Sequence, residues 1–464
     1  MKATLADFAR ACGGTLKGAD APYDGVSTDT RTIGAGQLFI ALTGERFNGD
    51  EFVAQAGKAG AAGAVVRVPQ PVSIPQIVVP DTTAALARAA RAWRENFDIP
   101  VVGVAGSNGK TTVKGMTAAI LEQAGETLAT TGNLNNHIGV PLTLFRLTGT
   151  HRFAVVEMGA DRAGEVATLV QIGRPTVGLI TNAGAEHLEG FLSMDGVARA
   201  EGEMVEGLAG DATAIINADD VYAGLWQGMT RARVRTFGVA AGADFSARDV
   251  RTSITAEGFL TRYMLKCPLG ETPVTLHLAG HHNVVNSLCA AAAAAAAGAT
   301  LDQIAAGLAT MRPVAGRLQF KRAAGGALLI DDSYNANPSS VQAGIEVLAQ
   351  VEGRRWLVFA DMGELGDYAV RSHADIGVFA REHGIERLFA TGELARGTAQ
   401  SFGAGASWYP DTTALGQAVR AALTEAGAAA AQVRMLVKGS RFNRLERVVA
   451  ALADPAAGAA TGEH

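Results

Sequence analysis

Cysteine is scarce in this 464-residue chain. The three that occur, Cys12, Cys267 and Cys289, are odd in number and far apart, which excludes a disulfide framework and a spaced zinc site. The chain has no run of ~18 strongly apolar residues, and its first residues lack an apolar signal core. Neither a membrane span nor secretion is predicted, and a reducing cytoplasm is. The longest apolar run, 287–298, is almost all alanine, a strong helix former of little lipid affinity, and reads as a close-packed helix. Charge is scarce too: 18% of residues are charged and the net charge is -5, which argues against a nucleic-acid partner. With 48% hydrophobic residues the chain is globular rather than disordered.

What the chain does carry is an apolar strand, Val101-Val102-Gly103-Val104-Ala105, running into Gly106-Ser107-Asn108-Gly109-Lys110-Thr111-Thr112. Glycines here let backbone N–H groups approach phosphate oxygens, and the following helix start adds partial positive charge. Lys110 then reaches the terminal phosphates and Thr111 can hold magnesium. Val104 stands where a plain phosphate loop has its first glycine, and Gly106 shortens the turn.

The length suggests about three domains of ~100–200 residues each. Residues 1–98 read as a small α/β domain with strands at 38–42, 64–68 and 76–79. Residues 99–312 place strands at 101–105, 153–157, 177–181 and 212–217 before helices, the pattern of a doubly wound, mostly parallel sheet. Alternation between 234 and 278 predicts antiparallel hairpins added to that sheet. Residues 313–453 form a third, Rossmann-like α/β set with strands at 328–331, 355–359, 387–390 and 434–437, and 454–464 read as a disordered tail.

Glu157 ends a strand on the rim where open parallel sheets bind ligands, and its carboxylate suits magnesium. His187, in the turn after the next strand, is a metal ligand, a proton shuttle or a plain surface histidine by residue type. The amide-rich segment 130–139 suits a phosphate or sugar and equally a tight turn. Asn283 and Asn286 share one helix face and could present amides to a base, or cap the helix. The strand-end loop 330–338 reads as a second ligand contact or a turn.

In order along nearly the whole chain, these segments resemble the Mur ligase family. The resemblance rests on Gly25-Val26-Ser27-Thr28-Asp29-Thr30-Arg31, 106–112, 132–141, Glu157-Met158-Gly159, 182–191, 282–286, Gly316-Arg317, 332–338, 361–366 and Lys438-Gly439-Ser440-Arg441. Tyr334-Asn335-Ala336-Asn337-Pro338, the 361–366 loop and 438–441 are similar to the members that add D-alanyl-D-alanine. The third domain has no Asp-Asn-Pro-Arg motif, which a diamino-acid-adding member would carry.

That resemblance implies ATP and Mg2+ as cofactors, and UDP-MurNAc-tripeptide and D-Ala-D-Ala as substrates joined through an acyl phosphate in peptidoglycan synthesis. It implies that Ser27, Asp29 and Arg31 contact the uridine nucleotide and that Asn135 and Asn136 contact the rest of that substrate. Gly106, Ser107, Asn108, Gly109, Lys110, Thr111 and Thr112 would meet the ATP phosphates. Thr111, Glu157 and His187 would hold magnesium, and Asn283 and Asn286 would meet adenine. Arg317 and Asp332 would meet the rest of the nucleotide, with Asn337 and 361–366 near the dipeptide. Two departures stand out. Glu201 replaces a lysine that most of the family carries as a carbamate on a second magnesium, and its carboxylate is expected to substitute as a catalytic and metal-binding group. Asp50 stands where a histidine is common. Hinged domains predict closure on binding, and a monomer is expected. The competing readings are another ligase of the superfamily, diamino-acid-adding or folate polyglutamate, and a nucleotide-binding scaffold without catalysis.

Overall fold

The computed structural model describes residues 3–44, 47–185, 188–240, 242–255 and 258–454. His187 and, past Asp454, the tail expected to be disordered lie outside the described residues. The fold is α/β, with three sheet-centred units in chain order.

The first unit is a five-stranded sheet in the order Thr15–Lys17, Gln76–Val78, Gly63–Val66, Leu38–Ile40 and Val26–Ser27. It is parallel except for Thr15–Lys17. Asp50, the departure noted above, is buried here and accepts backbone N–H groups from Arg67 and Val68, a structural use that suits a carboxylate.

The central sheet has six strands, all parallel, in the order Arg233–Phe237, Thr213–Asn217, Val177–Ile180, Val101–Ala105, Phe153–Glu157 and Thr127–Ala129. Val101–Ala105 is apolar throughout because both its faces are covered. Val102 and Val104 enter a core with the helices Lys110–Glu122 and His281–Ala296. Val101 and Ala105 enter a second core with Glu165–Gly173 and Met194–Glu206. The chain leaves Val101–Ala105 toward one sheet edge and later crosses to its other side, so a ligand crevice opens at its carboxyl end.

The antiparallel hairpins differ from expectation in one respect. Ser246–Thr255, Gly258–Cys267 and Gly270–Leu276 do not join the parallel sheet but form their own three-stranded sheet. The reason is burial: Tyr263, Leu265, Val274 and Leu276 alternate onto the same core as the alanine helix, so the hairpins pack over that helix with one face rather than extend the sheet.

The third unit is a six-stranded sheet in the order Gln319–Arg322, Leu328–Asp332, Val433–Lys438, Arg354–Ala360, Arg387–Thr391 and Ala406–Tyr409. Only Gln319–Arg322 runs antiparallel.

The expected alanine helix is His281–Ala296, and Ala290 to Ala294 are all buried. Methyl side chains let it lie close against the helix Lys110–Glu122. A larger group there must displace packed neighbours, so Ala291→Leu should lower stability by about 1–3 kcal/mol. A urea midpoint equal to the parent's would show slack packing instead.

Candidate nucleotide site

Everything in the site is built on the end of Val101–Ala105. Gly106 has φ +115, and a Cβ there would run into the Oγ1 and backbone of Thr181 on the adjacent strand end. Its N–H donates to Glu201 Oε2 at 2.7 Å from beneath, and Glu201 is buried. Gly109 has φ +86, and a Cβ there would stand 2.5 Å from Asn286 Oδ1. Only glycine fits either place without strain.

The loop is clasped by the 181–185 segment. Asn182 Oδ1 accepts the Asn108 N–H at 3.1 Å, and Asn182 Nδ2 donates to Asn108 O at 3.0 Å, so one side chain holds both backbone polar groups of Asn108. Ser107 N donates to Asn182 O at 2.9 Å, and Ser107 Oγ both accepts from Gly184 N and donates to Gly184 O. Lys110 folds back, with Nζ 2.6 Å from Gly106 O and 3.0 Å from Ser107 O. Thr112 lies half-buried one residue beyond Thr111 in the first turn of the helix.

Glu157 meets this loop from the next strand. Thr111 Oγ1 donates to its Oε1 at 3.2 Å, and Asn135 Nδ2 donates to the same oxygen at 3.1 Å. Its other oxygen is buried and has no hydrogen bond among the described residues. The Lys114 ammonium lies 3.3 Å from that oxygen, close enough for charge pairing though outside hydrogen-bond geometry. Asn135 therefore orients Glu157, while Asn136 is engaged in a turn, its Oδ1 accepting from Ile138 and Gly139 N–H. Among the described residues no three His, Cys, Asp or Glu side chains gather as a metal-binding group.

The third unit closes over the loop. Arg317 Nη2 donates to Thr111 Oγ1 at 3.2 Å, with its guanidinium 4.5 Å above the Tyr334 ring. Asp332 Oδ1 accepts Leu318 N–H, and Oδ2 pairs with buried Lys438 Nζ at 2.5 Å. Asn337 caps the helix Pro338–Ala349 and reaches Asn108. Asp361 instead caps within its own unit, its Oδ1 accepting Ala395 N–H. Asn283 and Asn286 are buried and partly spent on each other, Asn286 Nδ2 donating to Asn283 Oδ1 at 3.2 Å. Neither caps the helix, which starts on Gly280 without a side-chain cap.

Ser27, Asp29 and Arg31 sit on a first-unit loop. The exposed Arg31 guanidinium pairs with Asp29 at 2.6 Å and, chiefly by hydrogen bonding, holds its carboxyl down at about 2. Ser27 Oγ accepts the Asp29 N–H at 3.2 Å. Lys114, Asn182 and Ser339 were not singled out from sequence. Lys114 was legible in part, since it lies one helical turn after Lys110 on the same face.

The fold and site define a class: an α/β protein that holds a nucleotide on a phosphate loop at the switch point of a parallel sheet. Three family models match the chain: Mur ligase family, catalytic domain over 22–95, Mur ligase middle domain over 104–294, and Mur ligase, glutamate ligase domain over 316–441. UDP-N-acetylmuramoyl-tripeptide--D-alanyl-D-alanine ligase of Escherichia coli K12 is 42% identical over 454 residues, covering 97% of this chain and 98% of that protein. The protein of the same name from Bacillus subtilis 168 is 34% identical, covering 97% and 98%. Among solved structures, a MurF from Acinetobacter baumannii superposes with a TM-score of 0.90 at 32% identity, covering 97% and 98%. MurF ligase of Thermotoga maritima, in complex with ADP, superposes with a TM-score of 0.79 at 25% identity, covering 92% and 96%. The chain belongs to the Mur ligase family.

His282, in the first turn of the alanine helix and within reach of the charges of the Asp332–Lys438 pair, gives the site a pH signature. Burial is the main cause that pushes its imidazole down to about 4, and the Asp332 carboxylate only partly offsets it. Between pH 6.5 and 4 the unfolded chain then binds more protons than the fold. Stability is complete above that window and falls as the pH drops through it. Denaturant titrations across the window should show a shallower fall for His282→Gln, and parallel curves would mean that the ring contributes nothing.

Proposed function

We propose that this chain joins the amine of D-alanyl-D-alanine to the terminal carboxylate of UDP-MurNAc-tripeptide, with ATP cleaved to ADP and phosphate, giving the pentapeptide precursor of peptidoglycan. The observation that carries this is the 42% identity to a ligase named for that reaction, spread across 97% of the chain and so across all three units. In this reading residues 1–98 hold the uridine nucleotide through Ser27, Asp29 and Arg31. Residues 99–312 hold ATP, and 313–453 bring the dipeptide. Such a chain works in the cytoplasm, where ATP is at hand, and as a monomer, because every group named is its own.

In the first step a carboxylate oxygen of the tripeptide bonds to the γ-phosphorus as the bond to the β,γ-bridging oxygen breaks and ADP forms. In the second the dipeptide nitrogen bonds to the acyl carbon, its proton is lost, and the C–O bond to phosphate breaks. Gly109 and the helix start present N–H groups to the phosphates, and Lys110 swings from the loop carbonyls onto them. Arg317 brings a further cation. Asn283 and Asn286, buried behind the loop, flank the base. Positioning and charge neutralisation carry the rate.

Magnesium fits the site by its donors: the buried Glu157 oxygen without a hydrogen bond and the Thr111 hydroxyl beside it are hard oxygen ligands. Glu157, Thr111 and His187 would hold the ion, which would neutralise charge on the transferring phosphoryl group. Glu201, in the place of the family's carbamylated lysine, carries a permanent carboxylate beneath the loop.

Phosphate release should require UDP-MurNAc-tripeptide and D-Ala-D-Ala together and should accompany a pentapeptide product; release without the dipeptide would move the assignment to a relative. Stripping carbon dioxide and bicarbonate should leave the rate unchanged, whereas Glu201→Ala should lower kcat at least about tenfold. Full activity and magnesium affinity in Glu201→Ala would exclude the carboxylate's role.

A further inference from the structure

The phosphate loop and the third unit meet through a closed ring of hydrogen bonds. Asn337 Nδ2 donates to Asn108 Oδ1 at 2.7 Å, Asn108 Nδ2 donates to Ser339 Oγ at 3.2 Å, and Ser339 Oγ donates to Asn337 Oδ1 at 3.1 Å. The direction of the ring is set by the helix behind it. Asn337 Oδ1 must accept the Ser340 N–H at 2.9 Å as the cap of Pro338–Ala349, which turns the amide nitrogen toward Asn108. Asn108 must then present its oxygen, and its nitrogen is left for Ser339. On its other side the Asn108 peptide is gripped by Asn182 at both N–H and C=O. Gly184 is the seat of this contact, since a Cβ there would stand 2.6 Å from Asn108 Nδ2.

We propose that this ring is a latch through which seating of the third unit sets the shape of the phosphate loop, and that Asn337 is a positioning residue for phosphoryl transfer rather than a contact to the dipeptide. The inference rests on the ligase reading above. Asn108 lies between Ser107, whose N–H is held by Asn182 O, and Gly109, whose N–H the ligase reading assigns to phosphate, so a displaced Asn108 tilts the Gly109 N–H. A loop that is correctly shaped only when the third unit is seated delays the acyl phosphate until the amine-bearing unit is in place and water is excluded.

Asn337→Ser keeps a hydroxyl cap for the helix and removes the reach to Asn108. Ser339→Ala removes the third member of the ring. Both variants are assayed beside the parent for kcat, KM of each substrate and ADP formed per pentapeptide. Melting midpoints within about 2 °C of the parent are expected, together with an unchanged KM for UDP-MurNAc-tripeptide. Expected too are a kcat about tenfold lower and more than one ADP per pentapeptide, as water intercepts the acyl phosphate. The double variant should be no worse than the worse single one, because the ring acts as a unit. An unchanged kcat with one ADP per pentapeptide would overturn the latch. So would a loss of kcat that follows a lowered melting midpoint with the stoichiometry intact. If the parent itself makes no pentapeptide, the ligase reading fails and the latch with it; an active parent with silent variants removes the latch alone.

Discussion

The site depends on one close approach: the backbone of Gly106 lies against the end of the neighbouring parallel strand, with no room for a side chain between it and Thr181. The strand order places Val177–Ile180 beside Val101–Ala105, and the loop that leaves the latter must turn at once over the former. A positive φ at Gly106 makes the turn, and Glu201 catches its buried N–H from below. From that anchored start, Asn182 fixes the next peptide units and Gly109 starts the helix. The lysine, the threonine and Glu157 then converge because their backbones have no alternative path.

Such a loop puts polar groups where water is scarce, and the N–H groups of Gly106, Ser107 and Asn108 are each given a partner. An unpaired buried amide costs about 1–3 kcal/mol, so the double grip of Asn182 on Asn108 stabilises the loop as much by avoiding that cost as by its own bonds. Glu157 is handled differently. Its two oxygens are unequal, one hydrogen-bonded by Thr111 and Asn135, the other beside the Lys114 ammonium. A buried carboxylate without that ammonium would be an uncompensated charge, which in comparable cases costs about 3–5 kcal/mol. Lys114 thus belongs to the electrostatics of the site although no phosphate need touch it.

Much of this was legible in the sequence, because the phosphate loop is a local object: strand, glycine turn and helix start are consecutive, and their chemistry follows from residue type. Glu157 was legible for the same reason, as a carboxylate at a strand end. Asn135, Asn136 and Asn337 were legible as polar residues but not in their contacts. An amide serves a turn, a carboxylate or a ligand equally well, and which one it meets is set by elements brought together from far along the chain. Asn337 meets Asn108 across 229 positions, a pairing no local pattern encodes. The hairpins from Ser246 to Leu276 were readable as antiparallel strands, yet their placement was not, since alternation reports which face is buried and not against what.

The contacts between the third unit and the phosphate loop are amide to amide, hydroxyl to amide and guanidinium to hydroxyl. Their chemistry bears on motion. A hydrogen bond of this kind is worth about 0.5–1.5 kcal/mol net, because each partner regains water when the contact opens. A handful of them sums to the few kcal/mol that typically separate two populated conformations, a gap that binding of a ligand can reverse. An apolar seam of the same extent would expose its surface to water on opening and would hold the units shut. The two units also share an apolar contact away from the loop: Phe259 and Ala279 are buried in the same core as Leu436, Val341 and Phe359, and Phe259 meets Phe320 edge to face, while Val437, Trp356 and Val449 fill a core of the third unit's own. Beside the phosphate loop the groups that meet are polar, so Asn108, Thr111 and Arg317 set how tightly the two units meet at that end while the apolar contact at Phe259 acts as the fixed side.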